Sequence, residues 1–166
     1  SSAIRLQQFT FYDDSDYNPL VEGLWVIGIG NNKTRKRIAE EVLRGKRFIS
    51  TFSANSICHS SSNIGEGTQV MAGAVIQMGC KIGSHSVIYT AASVDHDCEL
   101  GKYSFIGPNA TLCGGVTVGE CSFIGAGATI LPYIKIGKNC MIGAGSVVTK
   151  NIPDNSTAYG NPAKIK

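Results

Sequence analysis

No apolar run in the 166 residues approaches the roughly 18 that a membrane-spanning helix needs. No positively charged segment followed by an apolar stretch opens the chain as a secretory leader would. Charge is sparse: 15 Lys and Arg stand against 12 Asp and Glu, a net charge of +3, with no long basic stretch. The one basic cluster, Lys33, Arg35, Lys36 and Arg37, reads as a solvated helix start rather than a nucleic-acid patch. Six cysteines contain no C-x-x-C pair, so a structural zinc site is not indicated. Three of them, Cys80, Cys98 and Cys140, fall in a column of small residues described below and read as reduced, buried thiols of a cytoplasmic protein. Membrane, nucleic-acid and zinc-module classes are therefore set aside.

What the sequence has is a repeat. An aliphatic residue recurs every six positions from Ile64 through Val70, Ile76, Ile82 and onward to Val148, fifteen times without a miss. Two residues before it stands a small side chain in most units, such as Ala74, Cys80, Ala92, Cys98 and Ala110. A glycine often follows it, as at Gly65, Gly83, Gly101 and Gly119, and reads as the residue that permits a tight corner. Inward residues two apart are strand alternation, and a fixed short period is the mark of a solenoid. Every third unit reads aliphatic-Gly, so 18 residues make one coil of triangular section, giving about five coils. At the spacing between paired strands the prism is about 24 Å long.

Residues before the repeat follow another pattern. Phe9 to Tyr12 and Leu24 to Ile29 are expected as strands, Lys33 to Arg44 as a helix with Ile38, Val42 and Leu43 inward, and Phe48-Ile49 as a third strand. Strand, helix, strand suggests a small parallel α/β unit, whose ligands sit at the carboxyl ends of strands. Asp13-Asp14 and Gly30-Asn31-Asn32 lie at such ends. The expected division is an α/β unit at 1–52, a β-helix at 53–151 and a C-terminal cap at 152–166.

Of three histidines, His59 and His85 read as surface or corner residues. His96 differs, standing in Asp95-His96-Asp97 directly after the inward Val94. A histidine flanked by carboxylates is held in one tautomer with its basicity raised, which suits it to general-base work. One coil further on, Gly114-Gly115 offers no side chain, leaving room for a reactant beside that base. Among residues expected to point outward, Gln69, Val87, Phe105, Phe123 and Met141 form a column that is apolar over four coils, which predicts a subunit interface. Asp154 falls where the next aliphatic residue is due, so the hexads end there and the tail caps an otherwise open sheet edge.

The repeat resembles the hexapeptide-repeat acyltransferases, and that resemblance alone implies a left-handed parallel β-helix. The ordered set FYDD, IGIGNNKTRKRI, hexads, VDHDC and GNPAKI, over about residues 9–166, is similar to the sialic-acid O-acetyltransferase family. That family includes bacterial N-acetyltransferases acting on nucleotide-linked 4-amino sugars of the bacillosamine and perosamine type. The resemblance implies acetyl-CoA as co-substrate, His96 as catalytic base and Asp97 as the acidic residue that tunes it, with no metal. It implies Asp13, Asp14 and Gly30 on the nucleotide-sugar. Phe105 falls where bacillosamine-type enzymes place a second histidine near acetyl-CoA, leaving the thioester carbonyl to a backbone N–H. Ala126 and Ala144 fall at acetyl-CoA contacts, and Lys150 and Lys164 near its phosphates. It further implies a homotrimer with active sites at subunit interfaces and a role in bacterial polysaccharide or glycan biosynthesis. The family opens with a strand, a Gly-rich loop and a helix. Residues 1–8, SSAIRLQQ, do not supply that loop, so a shortened α/β unit is expected.

The expected activity is acetyl transfer from acetyl-CoA to the amine of a nucleotide-linked amino sugar. The alternatives are O-acetylation of a sugar or sialic acid and a non-catalytic trimeric binding or scaffold protein. A γ-type carbonic anhydrase, with three histidines around zinc, fits poorly because the histidine spacings here are 26 and 11.

Overall fold

A computed structural model describes residues 22–166. From Thr51–Phe52 to Val147–Val148 the chain lays down two-residue strands at six-residue steps, every strand parallel to the one a coil away. Ser93 pairs with Thr111, Glu99 with Thr117 and Phe105 with Phe123, each pair 18 residues apart. The strands stack into three sheets, the faces of a triangular prism. The first face holds Ser93–Val94, the second Glu99–Leu100 and the third Phe105–Ile106, with their equivalents in other coils. The fold is the expected β-helix, with about 6 turns rather than five. The extra turn begins at Thr51–Phe52 and Ile57–Cys58, where an aromatic residue and a thiol hold the aliphatic position and hid the repeat from a search for aliphatic residues.

The aliphatic column is the core. Ile76, Ile88, Val94, Ile106, Leu112, Ile124, Ile130 and Ile142 are 0% exposed, and Ala74, Cys80, Ala92, Cys98, Ala110 and Ala128 fill the narrower space beside them, also at 0%. Each fully buried aliphatic side chain contributes about 1.5–3 kcal/mol, which is how strands of two residues persist. The six cysteines are free thiols.

The corners correct one expectation. The left-handed residue is the third after the aliphatic position, as at Asp97 (φ 58), Tyr103 (φ 59) and Tyr133 (φ 60), not the glycine that follows it. That glycine serves the stacking of coils instead. A Cβ on Gly65 would lie 2.5 Å from Ser84 N, and one on Gly83 2.5 Å from Lys102 N.

Ahead of the prism, β1 (Leu24–Trp25) pairs in parallel with β2 (Arg47–Phe48), and α1 (Asn32–Arg37) runs into a π-helical turn at Ile38–Val42. The strand–helix–strand order is as expected, but the elements are shorter. The first strand stops after Trp25 because the carbonyls that follow go to side chains: Ile27 O accepts from Gln69 Nε2 at 2.8 Å and Ile29 O from Arg35 at 2.8 Å. Asn31 caps α1 through Thr34 N, and the helix ends in a wider turn closed by Leu43 N donating to Ile38 O. Ile38 and Leu43 are buried as expected, whereas Val42 is 36% exposed. The expected strand Phe9 to Tyr12 lies outside the described residues.

This unit is fastened to the edge between the second and third faces. Arg35 is 0% exposed and gives its donors to His85 O, Tyr103 O, Ser104 O, Ile29 O, Gly30 O and Asn32 Oδ1. Asn32 donates to Cys121 O and Ser122 O one coil further on. Among the described residues no carboxylate pairs with it, and burial pulls the Arg35 guanidinium down to about 10. Lys36 pairs with Glu120 on the same edge. A second core of Ile27, Ile38, Ala39, Leu43 and Tyr103 forms beneath.

Two further expectations change. The outward column is not open over its first coils: Gln69, Val87 and Phe105 are 7%, 3% and 8% exposed in the single chain, and Met141 alone is fully open at 55%. The tail does not stop the repeat at Asp154. Two residues are dropped and the inward column resumes at Ile152, bridged to Ile136, and Ala158, paired with Ile142. Asp154 instead accepts from Lys138 N. The antiparallel hairpin Thr157–Gly160 with Ala163–Ile165 then covers the edge of the third face.

Candidate active site

The corner between the first and second faces carries His96 and Asp97 because Val94 is drawn inward and the chain must turn within three residues. Asp97 takes the left-handed position. From there its Oδ2 lies 2.9 Å from His96 Nδ1, and Asp95 Oδ1 accepts from His96 N at 2.8 Å. A carboxylate at Nδ1 fixes that nitrogen as the donor and leaves Nε2 with its lone pair. The hydrogen bond to Asp97 raises the imidazole above its ordinary value, with the nearby negative charge of Asp95 adding to it. The His96 side chain is 47% exposed and Asp97's is 70% exposed, so the pair is open to a ligand.

The coils on either side clear space for this pair. Asp97 N donates to Met78 O below, and Gly115 N donates to His96 O above. A Cβ on Gly79 would collide with the Asp97 carboxylate. A Cβ on Gly114 would lie 2.5 Å from His96 Nε2 and 2.6 Å from Cε1. The edge of the imidazole therefore rests against bare backbone at Gly114, in the place a side chain there would fill.

The remaining candidates divide among three edges of the prism. Lys150 is exposed and stands in the corner column of His96, three coils on, about 14 Å along the axis. Ala126 and Ala144 stack, exposed, on the edge between the third and first faces, with Gly145 N donating to Ala126 O. Phe105 lies on the third face, its ring 4.7 Å from that of Phe123, and this stack leaves it little surface for a co-substrate. Lys164 is exposed in the tail hairpin, opposite Tyr159. Gly30 is exposed beside the edge between the second and third faces, its carbonyl held by Arg35. One chain thus brings together His96 and Asp97, and stacks Ala126 with Ala144 on another edge, while Lys150 shares the edge of the base only at a distance of three coils. Asp13 and Asp14 lie outside the described residues.

His59 is exposed as expected, with Nδ1 2.9 Å from Ser61 Oγ. His85 is on its corner but only 5% exposed, stacked on Tyr103 at 5.1 Å and edge-on to Phe48 at 4.5 Å. Docking of the α/β unit buries it, which a reading of the repeat alone could not anticipate. Among the described residues no three His, Cys, Asp or Glu side chains converge as a metal site would require. No helix among them is long and apolar enough to cross a membrane. Sequence reasoning missed Arg35 as the fastening residue and Tyr133, which stands above Gly115. The signal for Tyr133 was available in the 18-residue column Gly79, Asp97, Gly115, Tyr133.

Comparison with known proteins bears on the coils. The family model described as bacterial transferase hexapeptide (six repeats) matches residues 79–114, 97–132 and 115–150. A single-residue variant of perosamine N-acetyltransferase from Caulobacter crescentus, solved with CoA and GDP-perosamine, is 39% identical with a TM-score of 0.83, covering 85% of this chain and 68% of that one. The acetyltransferase domain of PglB from Neisseria gonorrhoeae, solved with acetyl coenzyme A, is 37% identical with a TM-score of 0.83, covering 85% and 69%. WeeI from Acinetobacter baumannii is 30% identical with a TM-score of 0.81, over the same 85% and 69%. No curated protein sequence matches the chain. Shared coils and identities of 37–39% across more than two thirds of two solved relatives place the chain in a family: it belongs to the hexapeptide-repeat acyltransferases, of the nucleotide-linked amino-sugar N-acetyltransferase type.

Proposed function

We propose that this protein transfers the acetyl group of acetyl-CoA to the amine of a nucleotide-linked amino sugar, with His96 as the general base. The observation that carries the assignment of the base is its geometry: Nδ1 is held by Asp97, and the ring edge bearing Nε2 lies against Gly114 with the side chain 47% exposed. Acetyl-CoA supplies an activated acyl carbon. His96 Nε2 takes a proton from the amine as its nitrogen bonds to that carbon, and hands the proton to the departing thiolate. Asp97 stabilises the imidazolium between the two steps, so no metal is required of the chain's own residues. Such a base contributes typically ~10²–10⁴-fold.

We further propose that the working unit is a homotrimer. The base, the Gly30 loop and the Ala126–Ala144 column occupy three different edges of one prism. Packing three prisms about a threefold axis sets unlike edges of neighbouring chains against each other, so one chain's base can meet another's ligand-holding residues. The candidate roles of Asp13, Asp14, Gly30, Phe105, Ala126, Ala144, Lys150 and Lys164 belong to this reading.

The test is a product-mass assay with acetyl-CoA and a panel of UDP-, GDP- and dTDP-linked 4-amino-6-deoxy sugars. Wild type is expected to add one acetyl group to a member of the panel, and His96→Ala to lose at least ~10²-fold of that rate. Undiminished acetylation by His96→Ala would remove it as the base. Sizing by sedimentation at low protein concentration tests the trimer, and a stable monomer sinks it.

A further inference from the structure

Tyr133 is the most exposed large apolar side chain among the described residues, at 73%. Its backbone is left-handed, φ 60, as at the equivalent corner position of other coils, and a bulky side chain is disfavoured there. The other tyrosine in this conformation, Tyr103, is accounted for by packing: it is 4% exposed, stacked on His85 at 5.1 Å and overlain by Lys36. Tyr133 has no such cover, and among the described residues its hydroxyl makes no hydrogen bond.

Its ring nevertheless has a definite place. A Cβ on Gly115 would lie 2.5 Å from Tyr133 Cδ1 and 2.8 Å from Cε1. The ring therefore leans back over Gly115, toward the coil that carries the base, while the imidazole of His96 leans onto Gly114 from the other side. Two aromatic rings thus flank a two-residue glycine floor whose Cα atoms are about 3.8 Å apart. Met78, at 54% exposed, and Leu131, at 37%, extend the apolar surroundings of the base.

A base must come within about 3 Å of the proton it removes. Whatever carries the nucleophile therefore sits over this floor, with His96 on one side and the Tyr133 ring on the other. Resting on the acetyltransferase reading above, we propose that Tyr133 is the platform against which the ring of the acceptor amino sugar packs. The apolar C–H face of the hexose lies against the aromatic face, which turns the amino group toward Nε2. The exposed and otherwise uncovered tyrosine ring is then a specificity-determining residue for the sugar, not for the acyl donor.

Two variants test this: Tyr133→Asn, which suits a left-handed backbone and removes the ring, and Tyr133→Phe, which keeps it. Initial rates are measured with each substrate varied in turn. Tyr133→Asn is expected to raise KM for the nucleotide-linked amino sugar about tenfold with KM for acetyl-CoA within about twofold, and Tyr133→Phe to recover most of that loss. An unchanged sugar KM, or a rise confined to acetyl-CoA, overturns the platform. Saturation-transfer NMR on GDP- and UDP-linked 4-amino-4,6-dideoxyhexoses separates this from failure of the enzyme reading. If wild type turns nothing over but saturates the sugar ring protons, and Tyr133→Asn does not, the platform stands and the acetyltransferase reading falls. Equal saturation in both proteins, or none on the sugar in wild type, overturns the platform.

Discussion

Replacing Gly114 with alanine is the sharpest test of how the base is presented. The new Cβ would lie 2.5 Å from His96 Nε2, 2.6 Å from Cε1 and 3.1 Å from Cδ2. An ordinary contact between such atoms is about 3.5 Å, so the imidazole must retreat by about 1 Å. The ring has somewhere to go, because the His96 side chain is 47% exposed, but moving it draws Nδ1 away from Asp97. A misplacement of about 1 Å at a reacting group costs on the order of 10²-fold in rate. Folding should not suffer. The φ of Gly114 is outside the left-handed region, so an alanine there contributes about 0.4–1 kcal/mol through the unfolded chain, while the displaced group is a surface side chain. The expectation is a kcat/KM lower by about two orders of magnitude with a melting temperature equal to or above that of wild type. Product mass measures the first and differential scanning fluorimetry the second. A variant that melts like wild type and keeps kcat/KM within a factor of about three would falsify the placement of the reacting atoms over Gly114.

Three other outcomes follow from the same coordinates. Asp97 raises the pKa of His96, so kcat/KM should fall with decreasing pH along a limb centred above the ordinary histidine value; Asp97→Asn should move that limb to lower pH while lowering the plateau, and an unmoved limb assigns it to another group. Gly83→Ala puts a Cβ 2.5 Å from Lys102 N and 2.6 Å from Gly101 C, backbone that only a parting of coils can clear; it should cost about 1–3 kcal/mol and lower the melting temperature roughly 2–4 °C per kcal/mol, whereas Gly28→Ala, with nothing within 4 Å of the Cβ, should not. Burial holds His85 below its ordinary pKa, against the upward pull of Glu66 and Glu40 and with the downward push of Arg35 and Lys102. The folded chain therefore takes up its proton at lower pH than the unfolded chain, and stability present above about pH 6.5 is lost as pH falls below it. Urea midpoints at pH 7.5 and 5.5 should differ more in wild type than in His85→Leu, and equal differences refute the assignment.

The repeat made the fold legible because every coil meets the same requirement: one branched aliphatic residue turned inward per face, in most units with a small residue beside it. Fifteen successive solutions leave little else for those residues to do. The corners were less legible. A glycine after the aliphatic residue suggests a turn, but its φ is ordinary, and what forbids a side chain there is the backbone of the next coil. Position in a repeat does not reveal that contact, since it depends on how closely two coils approach. The same limit applies to Phe52 and Cys58, which stand in register with the inward Val70 and Ile76 without the expected chemistry.

The base was legible because its partners are adjacent in sequence: Asp95, His96 and Asp97 need only one corner to come together. Long-range dispositions were not. His85 and Gln69 lie where a bare prism would expose them, and they are buried because the α/β unit is fastened over that edge by Arg35, Asn32 and Lys36. The cluster Lys33, Arg35, Lys36 and Arg37 looked like a uniformly solvated face, yet Arg35 is wholly buried and satisfied by carbonyls of two coils. That difference bears on function. By gripping Ile29 O and Gly30 O with the same guanidinium that grips His85 O and Tyr103 O, Arg35 fixes the end of β1 relative to the coils. A loop at the end of a two-residue strand has little intrinsic rigidity. If Gly30 holds the nucleotide-sugar as proposed, the distance from that loop to any base is set by the prism through Arg35, and the coils act as the ruler for both halves of the site.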